Sequence, residues 1–182
     1  FLAQPVVRDA LCAPKSPLRF RSIMDTGEFL IVNLAKGRIG ADVANVVGGL
    51  IVSSLMHAAF SRHSLPEPAR RPFLLYADEF HNFTTRTFAD LMPEARKYGL
   101  GLTLAHQHVG QADKSVFDAV VGNVGSVVVF RVGPQDAPIF ARQLAPFDAQ
   151  DLAKQANYRA TVKLMHRGEV LRPFSASMHP PY

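Results

Sequence analysis

Phe73-Leu-Leu-Tyr-Ala77 running into Asp78-Glu79-Phe80 is the stretch whose reading decides the fold. An uninterrupted apolar and aromatic run, preceded by the loop Leu65-Pro-Glu-Pro-Ala-Arg-Arg-Pro72, reads as a buried strand. Strands buried on both faces belong to parallel sheets, where helices cover the two sides. Downstream, residues 87–98 read as a helix stopped by Gly99, and residues 102–105 as another buried strand. Upstream, residues 29–34 (Phe29-Leu-Ile-Val-Asn33-Leu34) lie between Gly27 and Gly37 and read as an earlier buried strand. Residues 40–62 read as a long helix with apolar residues on most faces. Beyond the middle of the chain follow a short helix at 115–121, a strand at 126–132 and a helix at 135–144. The tail, 158–177, reads as a hairpin turning at Arg167-Gly168. At the start, Pro5, Pro14 and Pro17 leave room only for a short helical piece at 6–11. Strands alternating with helices predict an α/β domain spanning residues 1–182, with a mostly parallel sheet, helices on both faces and a C-terminal β-hairpin. In such sheets ligands bind outside the carboxyl ends of the strands, which directs attention to residues 78 and 79.

Composition narrows the class. The 182 residues are enough to bury a core, and 48% apolar with 19% charged residues is ordinary globular usage. A net charge of +5 suits a polyanionic partner and equally suits a plainly solvated surface. Cys12 is the single cysteine, so no internal disulfide forms, which fits a reducing compartment. No secretory signal is visible, and the first residue is Phe, so a start inside a longer protein is expected. The most membrane-like stretch, 39–60, is interrupted by Asp42, Asn45, Ser53, Ser54 and His57. Its core, 46–56, falls short of the ~20 apolar residues that a spanning helix needs, and it reads as a buried helix.

The chemistry gathers at strand ends. Asp78 and Glu79, at the end of a buried strand, read in two ways. One carboxylate can hold hydrated Mg²⁺ while the other polarises an attacking water. Alternatively, Asp78 caps the next turn and Glu79 stands in solvent. Gln107, at the tip of the next strand in His106-Gln107-His108, has an amide able to reach a γ-phosphate or its water. Arg96, in Glu94-Ala-Arg96-Lys97-Tyr98-Gly99, either complements a helix dipole or reaches a neighbouring subunit's nucleotide. Arg131, ending the strand at 126–132, reads as a second nucleotide or subunit contact, or as a surface ion-pair partner.

These stretches also carry a resemblance. Leu74-Leu-Tyr-Ala-Asp78-Glu79-Phe80, then Glu94-Ala-Arg96-Lys97-Tyr98-Gly99-Leu100, then Leu104-Ala-His-Gln107 is similar to the coupling ATPases of conjugation and type IV secretion. These are TraG/TraD-like members of the FtsK/HerA superfamily of RecA-like P-loop motors. Val32-Asn33-Leu34-Ala-Lys36-Gly37-Arg-Ile-Gly40, Gly122-Asn123-Val-Gly125, Val129-Phe130-Arg131-Val-Gly133 and Asp136-Ala137 extend the resemblance over most of the chain in the same order. It implies a RecA-like P-loop ATPase domain that binds ATP and Mg²⁺. Asp78 would then be the metal-associated acid, Glu79 the catalytic base, Gln107 the γ-phosphate sensor and Arg96 an arginine finger acting in trans. It further implies a hexameric ring, DNA as cargo (single-stranded, with attached protein), and secretion-channel partners. The expected location is the cytoplasmic face of the inner membrane, with membrane contact only through segments outside this chain. Lys114 and Arg142 are candidate phosphate-backbone contacts, or simply solvated charges.

The chain departs from that pattern at one decisive point. A phosphate loop needs Gly-x-x-x-x-Gly-Lys-Ser/Thr, and none of the six lysines here follows a glycine. The nucleotide-cradling half is therefore expected upstream of Phe1 or lost, and the isolated chain is expected to bind ATP poorly. Two other readings stay open. One is a nucleotide-free interaction module that docks on a motor ring or on DNA. The other is a metal-dependent hydrolase built on Asp78, Glu79, His81, His106 and His108, against which His106 and His108 point to opposite faces if the strand continues.

Overall fold

In the computed structural model, described for residues 18–84, 86–111 and 113–180 together with Arg8 and Cys12, two compact units are distinguishable within the expected single domain. They comprise residues 1–120 and 121–182.

The first unit is organised around its longest helix. Helices α1 (Phe20–Thr26) and α2 (Lys36–Ile39) precede α3 (Ala41–Phe60), which takes the place of the helix expected at 40–62. By length and composition alone α3 could cross a membrane. Its buried residues, among them Val43, Val52, Leu55, Met56 and Ala59, instead pack against protein: α1, α2 and α4 (Arg86–Ala95). Strands β1 (Phe73–Ala77) and β2 (Leu100–Leu104) pair in parallel, with Phe73 opposite Leu100 and Ala77 opposite Leu104. The connection runs through α4 and a 3₁₀ turn, Arg96–Tyr98, that stops at Gly99 in the left-handed conformation (φ 75°), as the sequence predicts. Helix α5 (Lys114–Asn123) contributes Val116, Phe117 and Val120 as buried residues.

The second unit is antiparallel. Strands β3 (Val127–Val129), β4 (Arg159–Lys163) and β7 (Phe174–Ser177) form a sheet in the order β3-β4-β7. Helices α6 (Ala137–Ala141) and α7 (Ala149–Ala153) join Val129 in a core with Leu144 and Leu152. Asp148 and Asp151 close a reciprocal capping box at the start of α7. The C-terminal hairpin is present: β5 (Met165–His166) and β6 (Glu169–Val170) turn at Arg167-Gly168. Both turn residues have positive φ (52° and 87°), the backbone that a two-residue hairpin demands.

Two expectations are corrected. The mostly parallel sheet is, among the described residues, a single parallel pair, because the strand expected at 126–132 pairs antiparallel with β4. Alternation of elements fixes their order along the chain; the partner is chosen by which edge the tail returns to. The strand expected at 29–34 is also not formed. That segment runs beside β1 across an open groove of about 980 Å³, without ladder bonds, and Phe29 and Ile31 are 100% and 91% exposed. An apolar run gains strand structure only from a partner that takes its N–H and C=O groups. The helical piece expected at 6–11 lies, apart from Arg8, outside the described residues.

Candidate functional site

The in-register pairing of β1 and β2 brings two strand ends to one edge. The ladder continues one step past Leu104, since Ala105 N–H donates to the Ala77 carbonyl (2.9 Å). Phe80 N–H then donates to the Ala105 carbonyl (3.1 Å), which locks the turn after β1 onto the exit of β2. An aromatic column holds the same junction from below: the buried Phe80 ring meets His106 edge-on at 5.0 Å, and His106 meets Phe117 at 5.8 Å. Asp78, Glu79 and Gln107 therefore leave the core at a common edge, on a base of packed rings.

At that edge the side chains are sparsely bonded. Asp78 is exposed, and its Oδ1 accepts the N–H of the adjacent Glu79 at 3.0 Å; the turn that follows starts from Glu79 and has no side-chain cap. Glu79 is the unusual residue. Its backbone is left-handed (φ 50°, ψ 45°), which for a residue with a Cβ costs about 1–2 kcal/mol. That conformation starts the 3₁₀ turn Phe80–Asn82, and the Glu79 carbonyl accepts both the Asn82 N–H and the Asn82 side-chain amide at 3.0 Å. The Glu79 carboxylate lies 3.4 Å from His81 Nδ1, a buried nitrogen that makes no aligned hydrogen bond. The contact is an approach of charge to ring, short of a bond. Gln107 is exposed and carries no side-chain hydrogen bond among the described residues.

Arg96 stands elsewhere. It begins the turn that leads into the amino end of β2, so the length of the strand pair, about 16 Å at ~3.3 Å per residue, separates it from Asp78 and Gln107. It is exposed, with no side-chain hydrogen bond or ion pair among the described residues. Its neighbour Lys97 is committed to Glu94: the side-chain hydrogen bond (2.8 Å), reinforced by Coulombic attraction, raises the Lys97 pKa above its ordinary value. Arg131 and Arg142 are exposed in the second unit, and Lys114 is paired with Asp118 one helical turn on.

Two carboxylates and an amide on a strand edge match what a metal-bound water shell and a γ-phosphate require. Nothing in the chain matches a phosphate cradle, since no lysine follows a glycine. The metal-hydrolase arrangement does not assemble: among the described residues no three His, Cys, Asp or Glu side chains come together. His106 is engaged instead by the two phenylalanines and by the His108 carbonyl, 3.2 Å from its Nδ1.

Sequence reasoning missed the opposite edge altogether. Arg62, just past α3, is fully buried. Its Nε donates to Asp25 Oδ1 (3.0 Å), and its Nη1 donates to the carbonyls of Arg71 (2.9 Å) and Tyr98 (3.2 Å). The available signal was a single arginine closing the long helix, a few residues before the Arg70-Arg71 pair.

Comparison with known proteins gives the fold a counterpart. No protein-family model and no curated protein sequence matches this chain. Among solved structures, the bacterial conjugative coupling protein TrwBΔN70, in an unbound form, matches with a TM-score of 0.57 at 16% identity over 71% of this chain. TrwB in complex with a non-hydrolysable ATP analogue (TM-score 0.55) and with a non-hydrolysable GTP analogue (0.56) match at 17% identity, also over 71% of this chain. The chain spans only about a third of the matched structures, 36% and 35% of their lengths. The likeness is one of mixed α/β fold.

Proposed function

We propose that this chain is part of an ATP-driven motor that moves DNA, the part that activates water, senses the γ-phosphate and lends an arginine to its neighbour. The observation that carries the reading is the common edge of β1 and β2, where Asp78, Glu79 and Gln107 emerge together from a fold similar to that of a nucleotide-binding coupling protein. Bound nucleotide and Mg²⁺ supply the phosphoanhydride bond and the neutralising charge. Asp78 would accept hydrogen bonds from the water shell of a bound Mg²⁺. Glu79, held in a left-handed backbone at the start of the turn, takes a proton from the attacking water. The Gln107 amide donates to a γ-phosphate oxygen and loses that partner after cleavage. Arg96, on the far edge, is suited to a site on the next subunit of a ring. The phosphate cradle comes from a segment outside these residues.

In this reading the ring is hexameric, and the cargo is DNA, single-stranded with attached protein, held mainly through phosphate charge. Secretion-channel proteins are the partners, and the working location is the cytoplasmic face of the inner membrane.

The test uses the native gene product in which this chain occurs. Its coding sequence should contain Gly-x-x-x-x-Gly-Lys-Ser/Thr after a strand-like run. Glu79→Gln should lower DNA-stimulated ATP turnover roughly 10²–10⁴-fold, the usual worth of a positioned base, with unfolding unchanged. Turnover that survives Glu79→Gln would remove the base role from Glu79, and a gene product without the loop and without turnover would favour the nucleotide-free docking module.

A further inference from the structure

The amino edge of the strand pair contains a cluster of guanidinium groups whose common target is one turn. The turn Arg96–Tyr98 with Gly99 leads into β2. Each of its carbonyls is held. The Arg96 carbonyl accepts the Gly99 N–H (3.0 Å), and the Gly99 carbonyl accepts the Phe73 N–H (2.8 Å). The Lys97 carbonyl accepts from Arg70 Nη1, and the Tyr98 carbonyl from Arg62 Nη1 (3.2 Å). Arg70 also lies over the Tyr98 ring, 5.3 Å from its centre, while Phe60 meets the same ring edge-on at 5.1 Å. The two arginines are themselves fixed. Arg70 Nε donates to the carbonyls of Arg62 (3.2 Å) and Leu65 (3.0 Å), and Arg62 Nε to Asp25 (3.0 Å). Arg71 anchors the same loop to the end of α1 through the Thr26 carbonyl (2.8 Å).

Such an investment is out of proportion to a simple helix stop, which Gly99 alone provides. A fully buried guanidinium with a single carboxylate partner is costly to bury, and its Nη2 finds no acceptor among the described residues. The one side chain that leaves the gripped turn free of any bond is Arg96. A long flexible side chain delivers a reproducible charge to a distant point only if its backbone origin does not move.

We infer that Arg62 and Arg70 are positioning residues for Arg96: they fix the turn from which Arg96 is presented to a neighbouring subunit's nucleotide. The inference rests on the motor reading proposed above. Arg62 and Arg70 touch no nucleotide themselves; they act through the Lys97 and Tyr98 carbonyls.

Two measurements test it. Arg70→Leu releases the Lys97 carbonyl and leaves Arg62 in place, so it keeps the fold even if Arg62→Lys does not. On the chain as it stands, hydrogen–deuterium exchange at residues 97–100 should rise about tenfold in Arg70→Leu, the equivalent of one charge-assisted hydrogen bond, with α3 unchanged. Unchanged exchange at the turn overturns the clamp. In the native gene product on DNA, Arg70→Leu should lower kcat several-fold and leave the KM for ATP unaltered. The double variant Arg70→Leu/Arg96→Ala should be no slower than Arg96→Ala alone. Losses that multiply mean a merely structural role and overturn the inference while the motor reading stands. Full activity in Arg70→Leu beside a slow Arg96→Ala does the same. An Arg96→Ala as fast as the unchanged protein removes the arginine's role from the motor reading, and the positioning role falls with it, whatever Glu79→Gln shows.

Discussion

The two edges of the β1–β2 pair are built on opposite principles. At the amino edge almost every polar group is spoken for: Arg62, Arg70 and Arg71 between them bond six carbonyls. At the carboxyl edge Asp78, Glu79 and Gln107 hold little but their own backbone, and Glu79 sits in a conformation that costs energy. The same strands support both. The saturated edge resists movement and the open edge keeps donors and acceptors free for something else. A strained, unsaturated strand end on a rigid base is the arrangement expected where a ligand completes the bonding.

The contrast breaks most sharply at Arg62. Arg62→Met should lower stability by about 3 kcal/mol, the low end of the cost of breaking a buried pair. The low end applies because Asp25 keeps Arg21 as a partner and leaves 35% of its side chain in water. Thermal unfolding should register this as a fall of roughly 6–12 °C in Tm, at ~2–4 °C per kcal/mol for a chain of this size. A loss within 1 °C would mean that the amino edge is ornamental. Gly99→Ala is the next largest. At φ 75° any Cβ is strained, and here it would come within 3.3 Å of Arg62 Nη1 and of the Arg70 and Arg71 carbonyls. About 1–2 kcal/mol should be lost in denaturant unfolding. An Ala variant as stable as the original would show that the turn has room to shift.

The carboxyl edge was legible in the sequence and the amino edge was not, for a physical reason. Apolar runs ending in Asp78-Glu79 and in His106-Gln107 announce themselves, because strand ends in α/β proteins are set by the next turn. The long helix, the Gly99 stop and the Arg167-Gly168 turn were equally local, and each stands where the sequence puts it. Arg62 reaches Asp25 and Tyr98 from 37 and 36 residues away, and no window of sequence contains those partners. The same limit explains residues 29–34: the run is apolar enough for a strand, but whether it becomes one depends on a ladder partner far along the chain. Strand 127–129 failed in the other direction, since its partner, β4, arrives from the tail and reverses the expected polarity.

The smallest effect tells most about the open edge. Glu79→Gly replaces a left-handed residue with the one residue type that adopts that backbone freely, and the relief of about 1–2 kcal/mol exceeds the ~0.4–1 kcal/mol of added unfolded-chain entropy. The side chain gives up only a loose approach to His81 at 3.4 Å. Stability should therefore rise, by roughly 0.5 kcal/mol, while ATP turnover of the native gene product collapses as in Glu79→Gln. A substitution that makes the protein sturdier and idle would mark Glu79 as a residue kept for what it does at the edge. A loss of stability instead would mean that the carboxylate is part of the scaffold, and the division between a bonded edge and an available one would no longer hold at its most telling position.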